Sequence, residues 1–266
     1  MTEPVLYSEQ ELEGGVGLMG VLTINRVEKL NALNAEVLKM MSEFLRIVGR
    51  PEGPRVLIIR GAQAAEPKKR AFVAGADIGE LVHKTPSDIL SAEFSLPAVL
   101  NQIEGLPIPV IADIGGLCLG GGMELAMACD IRLATPNSHF GQPEVKIGVI
   151  AGAGAHQRLP WLVGGGRAAE MLLTGRFLFS AKWALTAGLI NRIEQENRIE
   201  QAAQEMAAGM CELPRAALAA TKAMLLAARD RPYAEAAALE RQTFADLFGP
   251  GTDQERLMTA FLNKTK

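Results

Sequence analysis

Over its first 135 residues the chain alternates apolar strand-like runs with segments of helical periodicity. That alternation restricts it to layered α/β architectures. Residues 16–25 mix small, apolar and polar side chains and predict a strand. Residues 31–49 predict a helix, with Val37, Met41, Phe44 and Val48 at helical spacing and Asn34 suited to its N-cap. Residues 55–60 and 109–114 predict buried strands, and residues 61–75 between strands predict a loop. A helix is expected over residues 87–104, capped by Ser87 and broken at Gly105. A Gly-rich turn then opens a short helix through Glu124 to Cys129, and residues 131–134 predict a strand. Beyond about residue 195 the pattern changes to Ala-, Leu-, Glu- and Arg-rich stretches with few strand formers. Pro214, Pro232 and Gly249-Pro250-Gly251 punctuate them into three or four helices. The expected organisation is an α/β core over residues 1–193 and a helical C-terminal region over 194–266. No simple repeat is visible, although strand–strand–helix units can recur without sequence similarity.

Composition removes several functional classes. A net charge of −3 gives no reason to expect a nucleic-acid surface. With 48% hydrophobic and 21% charged residues, large-scale disorder is excluded. Cys118, Cys129 and Cys211 have no C-x-x-C spacing and are expected as buried small hydrophobes in a reducing compartment. The N-terminal residues lack the basic and apolar regions of a signal peptide. The most apolar stretch, residues 106–129, is interrupted by Pro107, Pro109, Asp113, Glu124 and several glycines, so no membrane span is expected. The expectation is a soluble, cytoplasmic protein. The three histidines lack metal-ligand spacing, and neither dinucleotide-binding nor P-loop glycine patterns occur. No metal site is expected.

The chemistry concentrates at two glutamates twenty positions apart. Glu124 follows Gly120-Gly121-Gly122-Met123, and Glu144 closes Phe140-Gly141-Gln142-Pro143-Glu144. Both lie on otherwise small or apolar ground. A carboxylate in such surroundings titrates closer to neutrality, and two on one site can hold a water between them as acid and base. Two further segments fit them. In Ala71-Phe72-Val73-Ala74-Gly75-Ala76-Asp77-Ile78 the small residues allow backbone N–H groups to approach a ligand closely. The glycine triplet precedes a helix, where N–H groups are free and the dipole is positive. One donor from each segment would make an oxyanion hole.

Taken in order, these segments and Gly152-Ala153-Gly154-Ala155-His156-Gln157-Arg158-Leu159 resemble the enoyl-CoA hydratase/isomerase, or crotonase, family. The resemblance runs from Asn25-Arg26-Val27-Glu28-Lys29-Leu30-Asn31-Ala32-Leu33 to Met258-Thr259-Ala260-Phe261, nearly the whole chain. It implies a spiral of strand–strand–helix units with C-terminal helices, assembled as a homotrimer or homohexamer. It implies an acyl-CoA thioester as substrate, its carbonyl oxygen held by the N–H groups of Ala76 and Gly121. Glu124 and Glu144 match the two glutamates that hydratases of the family place on the catalytic water. Isomerases of the family often lack one, so retention of both favours hydration over a double-bond shift. Coenzyme A then arrives as part of the substrate, and no separate cofactor is implied. Its phosphates need cations, for which Arg26, Lys29, Lys68, Lys69 and Arg70 are candidates. Ala74, Asp77 and Ile78 fall in the substrate-binding segment by the same resemblance. The chain departs from the family pattern at Val27, Gly79, Ala151 and Ala155-His156, next to the second glutamate's loop and the acyl pocket. Asp113 is a charge in a predicted buried strand. Some family members bind RNA, but the 35–48 helix carries only Lys39 and Arg46 as cations against Glu36 and Glu43, which argues against that use.

Overall fold

A computed structural model describes residues 3–12, 15, 17–66 and 70–264. Strand pairs alternate between two sheets. The first sheet holds β1 (Val5–Glu11), β2 (Leu18–Ile24), β3 (Val56–Gly61), β5 (Val110–Ile114), β7 (Ile131–Ala134) and β10 (Arg192–Ile193), in that order. Only β1 runs antiparallel to its neighbour. The second sheet holds β4 (Ala71–Val73), β6 (Leu117–Leu119), β8 (His139–Gly141) and β9 (Phe179–Ser180). The three central turns, starting at β3, β5 and β7, each contribute one strand to each sheet and then helix, which is the spiral the resemblance implies. The helices are α1 (Ala35–Val48), α2 (Ile78–Leu81), α3 (Pro86–Leu90), α4 (Leu96–Gly105), α5 (Gly121–Ala128), α6 (Ala155–Val163), α7 (Gly165–Thr174) and α8 (Ala181–Ala187). Four more follow: α9 (Ile199–Cys211), α10 (Arg215–Asp230), α11 (Tyr233–Asp246) and α12 (Asp253–Lys264).

Alternation along the strands splits their side chains between two cores. Leu22, Ile24, Leu57, Ile59, Val110 and Ala112 face the main core with α1, α4 and α5. Val21, Ile58, Ile111 and Leu133 face outward beneath Ile199, Ala203 and Ala207 of α9. Strands covered on both faces read as continuous apolar runs, which is why β3 and β5 are legible in the sequence.

Several local expectations need correction. The first helix begins at Ala35, because Asn34 accepts a hydrogen bond from the Val37 N–H and Leu30 and Asn31 take left-handed backbone conformations (φ 51° and 58°). Asn31 is instead a buried brace, its amide donating to the carbonyls of Ala62 and Ala71. The 87–104 helix is two helices, capped by Thr85 and Ser95. The stretch read as a loop over 61–75 contains β4, whose three residues are too few to carry a periodicity. The strands β1, β6 and β8 were not anticipated. The three cysteines are free and buried. Among the described residues no helix is long and apolar enough to cross a membrane.

Candidate active site

Helix α5 is buried on every face, and Glu124 is its one charged residue. A helix that starts with glycines and carries otherwise small or apolar side chains can pack closely where larger residues cannot. A Cβ on Gly122 would lie 2.1 Å from the Val73 carbonyl oxygen, so β4 and the start of α5 touch backbone to backbone. Gly120 adopts φ 50°, and its N–H donates to the Gly141 carbonyl at 2.9 Å, which ties the helix start to β8. Glu144 lies three residues beyond β8, at the start of a 3₁₀ turn over Glu144–Ile147. The two glutamates therefore come from neighbouring turns of the spiral. A Cβ on Gly120 would stand 3.0 Å from Glu144 Oε1, so this carboxyl closes over the glycine turn.

The two carboxyl groups are held differently. Glu124 Oε1 accepts the Ala153 N–H at 2.7 Å and the Ala155 N–H at 3.1 Å, while Oε2 takes no donor among the described residues. Burial pushes the Glu124 carboxyl up, against these two N–H groups and the nearby charges of Arg158 and His156. Burial pushes Glu144 up to about 7; its own N–H opposes this and the charge of Glu124 adds to it. With its amide nitrogen turned to Glu144, buried Gln142 donates to Oε1 at 2.8 Å and Oε2 at 3.0 Å. Gln142 had no assigned part in the sequence. Its position two residues before a glutamate, within an otherwise apolar or small motif, was the available signal.

Ala76 approaches from the third side. It pairs with Leu33 in a parallel bridge, in which Leu33 donates to the Gly75 carbonyl and Asp77 donates to the Leu33 carbonyl. That pattern turns the Ala76 N–H away from Leu33. Among the described residues it finds no backbone acceptor. The Ala76 nitrogen lies 3.6 Å from where a Gly121 Cβ would stand. Gly121 is the first residue of α5, so its N–H has no acceptor inside the helix. Two unspent donors and two carboxyl groups thus converge on one glycine turn.

The other expected residues are more dispersed. The Ala74 N–H donates to the Leu30 carbonyl. Asp77 caps α2 and pairs with Arg26 at 3.0 Å, and Arg26 also donates to the Ala32 carbonyl. Those bonds hold the Ala76 segment against the turn before α1. Ile78 and Lys29 are exposed. Arg70 pairs with Glu196 and donates to the Ala64 carbonyl, in a separate cleft lined by Arg60, Asp113 and Glu200. Lys68 and Lys69 lie outside the described residues.

Comparison with known proteins identifies the family. The family described as enoyl-CoA hydratase/isomerase matches residues 14–266. A short-chain-enoyl-CoA hydratase of Clostridium acetobutylicum is 36% identical over 252 residues, covering 94% of this chain and 93% of the relative. A crotonyl-CoA hydratase of Syntrophomonas wolfei is 35% identical over 248 residues, 93% of each chain. The crystal structure of an enoyl-CoA hydratase from Bacillus anthracis superimposes with a TM-score of 0.87 at 30% identity, covering 97% of this chain and 96% of the other.

Proposed function

Because the chain belongs to the enoyl-CoA hydratase/isomerase family, we propose that it adds water across the double bond of an α,β-unsaturated acyl-CoA to give a 3-hydroxyacyl-CoA. The observation that most supports this is the convergence of Glu124, Glu144 and the unspent N–H groups of Ala76 and Gly121 on one turn. The N–H groups polarise the thioester carbonyl and stabilise the enolate that develops as water attacks the β-carbon. Glu124 takes the proton of that water through its open oxygen. Glu144, whose carboxyl is pushed up to about 7, is the acid that delivers a proton to the α-carbon. Both carboxyl groups then exchange protons with solvent before the next turnover.

Coenzyme A enters as part of the substrate. The exposed apolar side chains of Ile78, Leu81 and Val82 after Ala76, and of Val149 and Ile150 after Glu144, suit an acyl chain and its thioester arm. Lys29, Lys68 and Lys69 are the cations proposed for its phosphates; Arg26 is already committed to Asp77, and Arg70 to Glu196 in the separate cleft. In this reading residues 1–193 form the acyl-CoA-binding part, and 194–266 the helical part that assembles subunits and covers the active site. Tyr233, Phe244 and Met258 on α11 and α12 are exposed in the single chain and suit packing in a homotrimer or homohexamer.

A panel of 2-enoyl- and 3-enoyl-CoA thioesters, with products identified by mass, tests the reading. The expected result is a hydrated product from the 2-enoyl substrates. An enzyme that only interconverts the 2- and 3-enoyl isomers would be an isomerase instead, a reading that the two carboxylates and the hydratase names of the relatives disfavour.

A further inference from the structure

Behind Glu124 stands a second, part-buried charge cluster that the hydration chemistry does not use directly. Glu104 closes α4, and its carboxylate accepts from Arg158 Nε at 2.9 Å and Arg158 Nη2 at 2.7 Å, a two-pronged pair. Arg229, on α10, donates to Glu104 Oε1 at 2.6 Å. The third prong of Arg158, Nη1, donates to the Ala153 carbonyl at 2.7 Å. The N–H of that same Ala153 donates to Glu124. One peptide segment therefore connects the guanidinium to the glutamate. The connection fits tightly: a Cβ on Gly154 would stand 2.2 Å from Arg158 Nη1.

We propose that Arg158 and Glu104, braced by Arg229, are positioning residues that set where the Glu124 carboxylate stands and how readily it ionises. The reading rests on the proposed hydration for Glu124's role, and on geometry alone for the link. The 151–154 turn carries no regular structure of its own, and Arg158 is the side chain that holds the carbonyl of the Ala153 peptide. The guanidinium fork matters, because Glu104 takes two of its N–H groups and Ala153 the third. Burial would raise Glu104, but the hydrogen bonds of Arg158 and Arg229 outweigh it and hold the carboxyl at about 2, so it stays charged throughout the working range. The bracing reaches the C-terminal helices. Lys222, on the same helix as Arg229, is buried and pairs with Asp130 at 2.9 Å while donating to the carbonyls of Ile103 and Ile108. The seating of α10 on the core is thereby coupled to the loop that holds Glu124.

Titratable and charged groups near Glu124 come from every packed element. Glu144 lies across the glycine turn, His156 and Arg158 are on α6, Glu104 is on α4 and Cys118 is on β6. Arg132, on β7, sits at the far end of α5 and donates to the Ala126 and Cys129 carbonyls. Of these, Arg158 alone both lowers Glu124's proton affinity by its charge and fixes one of its donors.

The test uses the full chain carrying Arg158→Met, Arg158→Lys or Arg229→Met. Glu124 is titrated by NMR of protein labelled with ¹³C at the glutamate carboxyl carbons, with Glu124→Gln identifying its resonance. That titration needs no turnover, so it tests the link even if the chain proves not to be a hydratase. In Arg158→Met the Glu124 midpoint should rise by about one pH unit. On an active thioester, kcat should fall about tenfold or more with KM within about twofold, and the acid limb of kcat/KM should move up with the midpoint. Arg158→Lys should recover part of both effects, and Arg229→Met should shift the midpoint by less, in the same direction. A folded Arg158→Met protein with an unmoved Glu124 titration would overturn the proposal, whatever its activity. If that variant does not fold, unmoved titrations in both Arg158→Lys and Arg229→Met would do the same.

Discussion

Two clefts in this molecule hold carboxylic acids that burial has pushed toward neutrality, and they differ in what faces the acid. At the glycine turn, Glu144 is pushed up to about 7 and faces Glu124, with the N–H groups of Ala76 and Gly121 close by. At the corner between the sheets, burial pushes Asp113 up to about 6, with Arg60 opposing and Glu200 adding to the rise. Asp113 lies beside Arg60 in the β3–β5 register and lines a cleft of about 700 Å³. There the cations are already paired with other carboxylates. Arg60 pairs with Glu200 at 2.6 Å and bonds Thr23, and Arg70 pairs with Glu196. A shifted acid alone does not make a catalytic site; unspent donors aimed at the same space are also required.

The contrast breaks most easily by neutralising each acid in turn. Glu144→Gln and Glu124→Gln should each lower kcat by about 10²–10⁴, because an amide has the shape but cannot cycle a proton. Asp113→Asn should leave kcat/KM within about twofold. Steady-state kinetics on the most active thioester reads all three, and comparable losses at Asp113 would erase the distinction between the clefts.

Gly121→Pro sharpens the role of the donors. Gly121 is the first residue of α5, where proline is tolerated and the N–H makes no intrahelical bond. The nearest obstacle to a side chain there is the end of Leu96, 2.9 Å from the added Cβ. The substitution should cost about 10²–10³ in kcat, the loss typical of one oxyanion donor, with thermal stability changed little. Calorimetry beside the kinetics separates a lost donor from a lost fold.

Proton placement gives a third, smaller effect. Glu144 must be protonated to act as the acid, so kcat/KM should fall as pH rises through about 7. Glu124 must be ionised to act as the base, which sets the acid limb above the ordinary glutamate range. Because the two carboxyl groups interact, the limbs belong to the pair, and either Gln variant should collapse the bell to one limb in its residual activity. A profile that is flat from pH 5 to 9 in wild type would contradict this assignment.

The smallest effect is on stability at the other cleft. Asp113 titrates higher folded than unfolded, so its contribution is fully present below about pH 4 and is lost as pH rises through about 6. Asp113→Asn should remove that loss and stabilise the protein at pH 8 relative to wild type by on the order of 1–3 kcal/mol. Thermal midpoints of the two proteins should converge as pH falls toward 4.

The reach of the sequence follows from the same physics. Long apolar runs identify β3 and β5 because both faces of those strands are covered. The Gly-rich entrance to α5 was legible because only glycine permits backbone contact with β4. Strands of three residues, such as β4, β6 and β8, are too short for periodicity to register. Both glutamates and the two donor segments were legible as motifs, but their meeting at one turn depends on the spiral, which brings residues on neighbouring turns together. Arg26 read as a loose cation, whereas its pairing with Asp77 spans 51 positions and leaves no local trace. The Glu104–Arg158 pair was missed for the same reason, since a hydrogen-bond partner 54 residues away cannot be inferred from spacing.

The most direct test of the account is hydration in ¹⁸O-labelled water. Purified wild-type protein and the Glu144→Gln variant are incubated with a short 2-enoyl-CoA, and the acyl product is analysed by mass spectrometry. The account predicts a 3-hydroxyacyl-CoA from wild type carrying one ¹⁸O at the hydroxyl, formed at least about 10²-fold more slowly by the variant. A product without ¹⁸O, an isomerised but unhydrated thioester, or equal rates in the two proteins would contradict it.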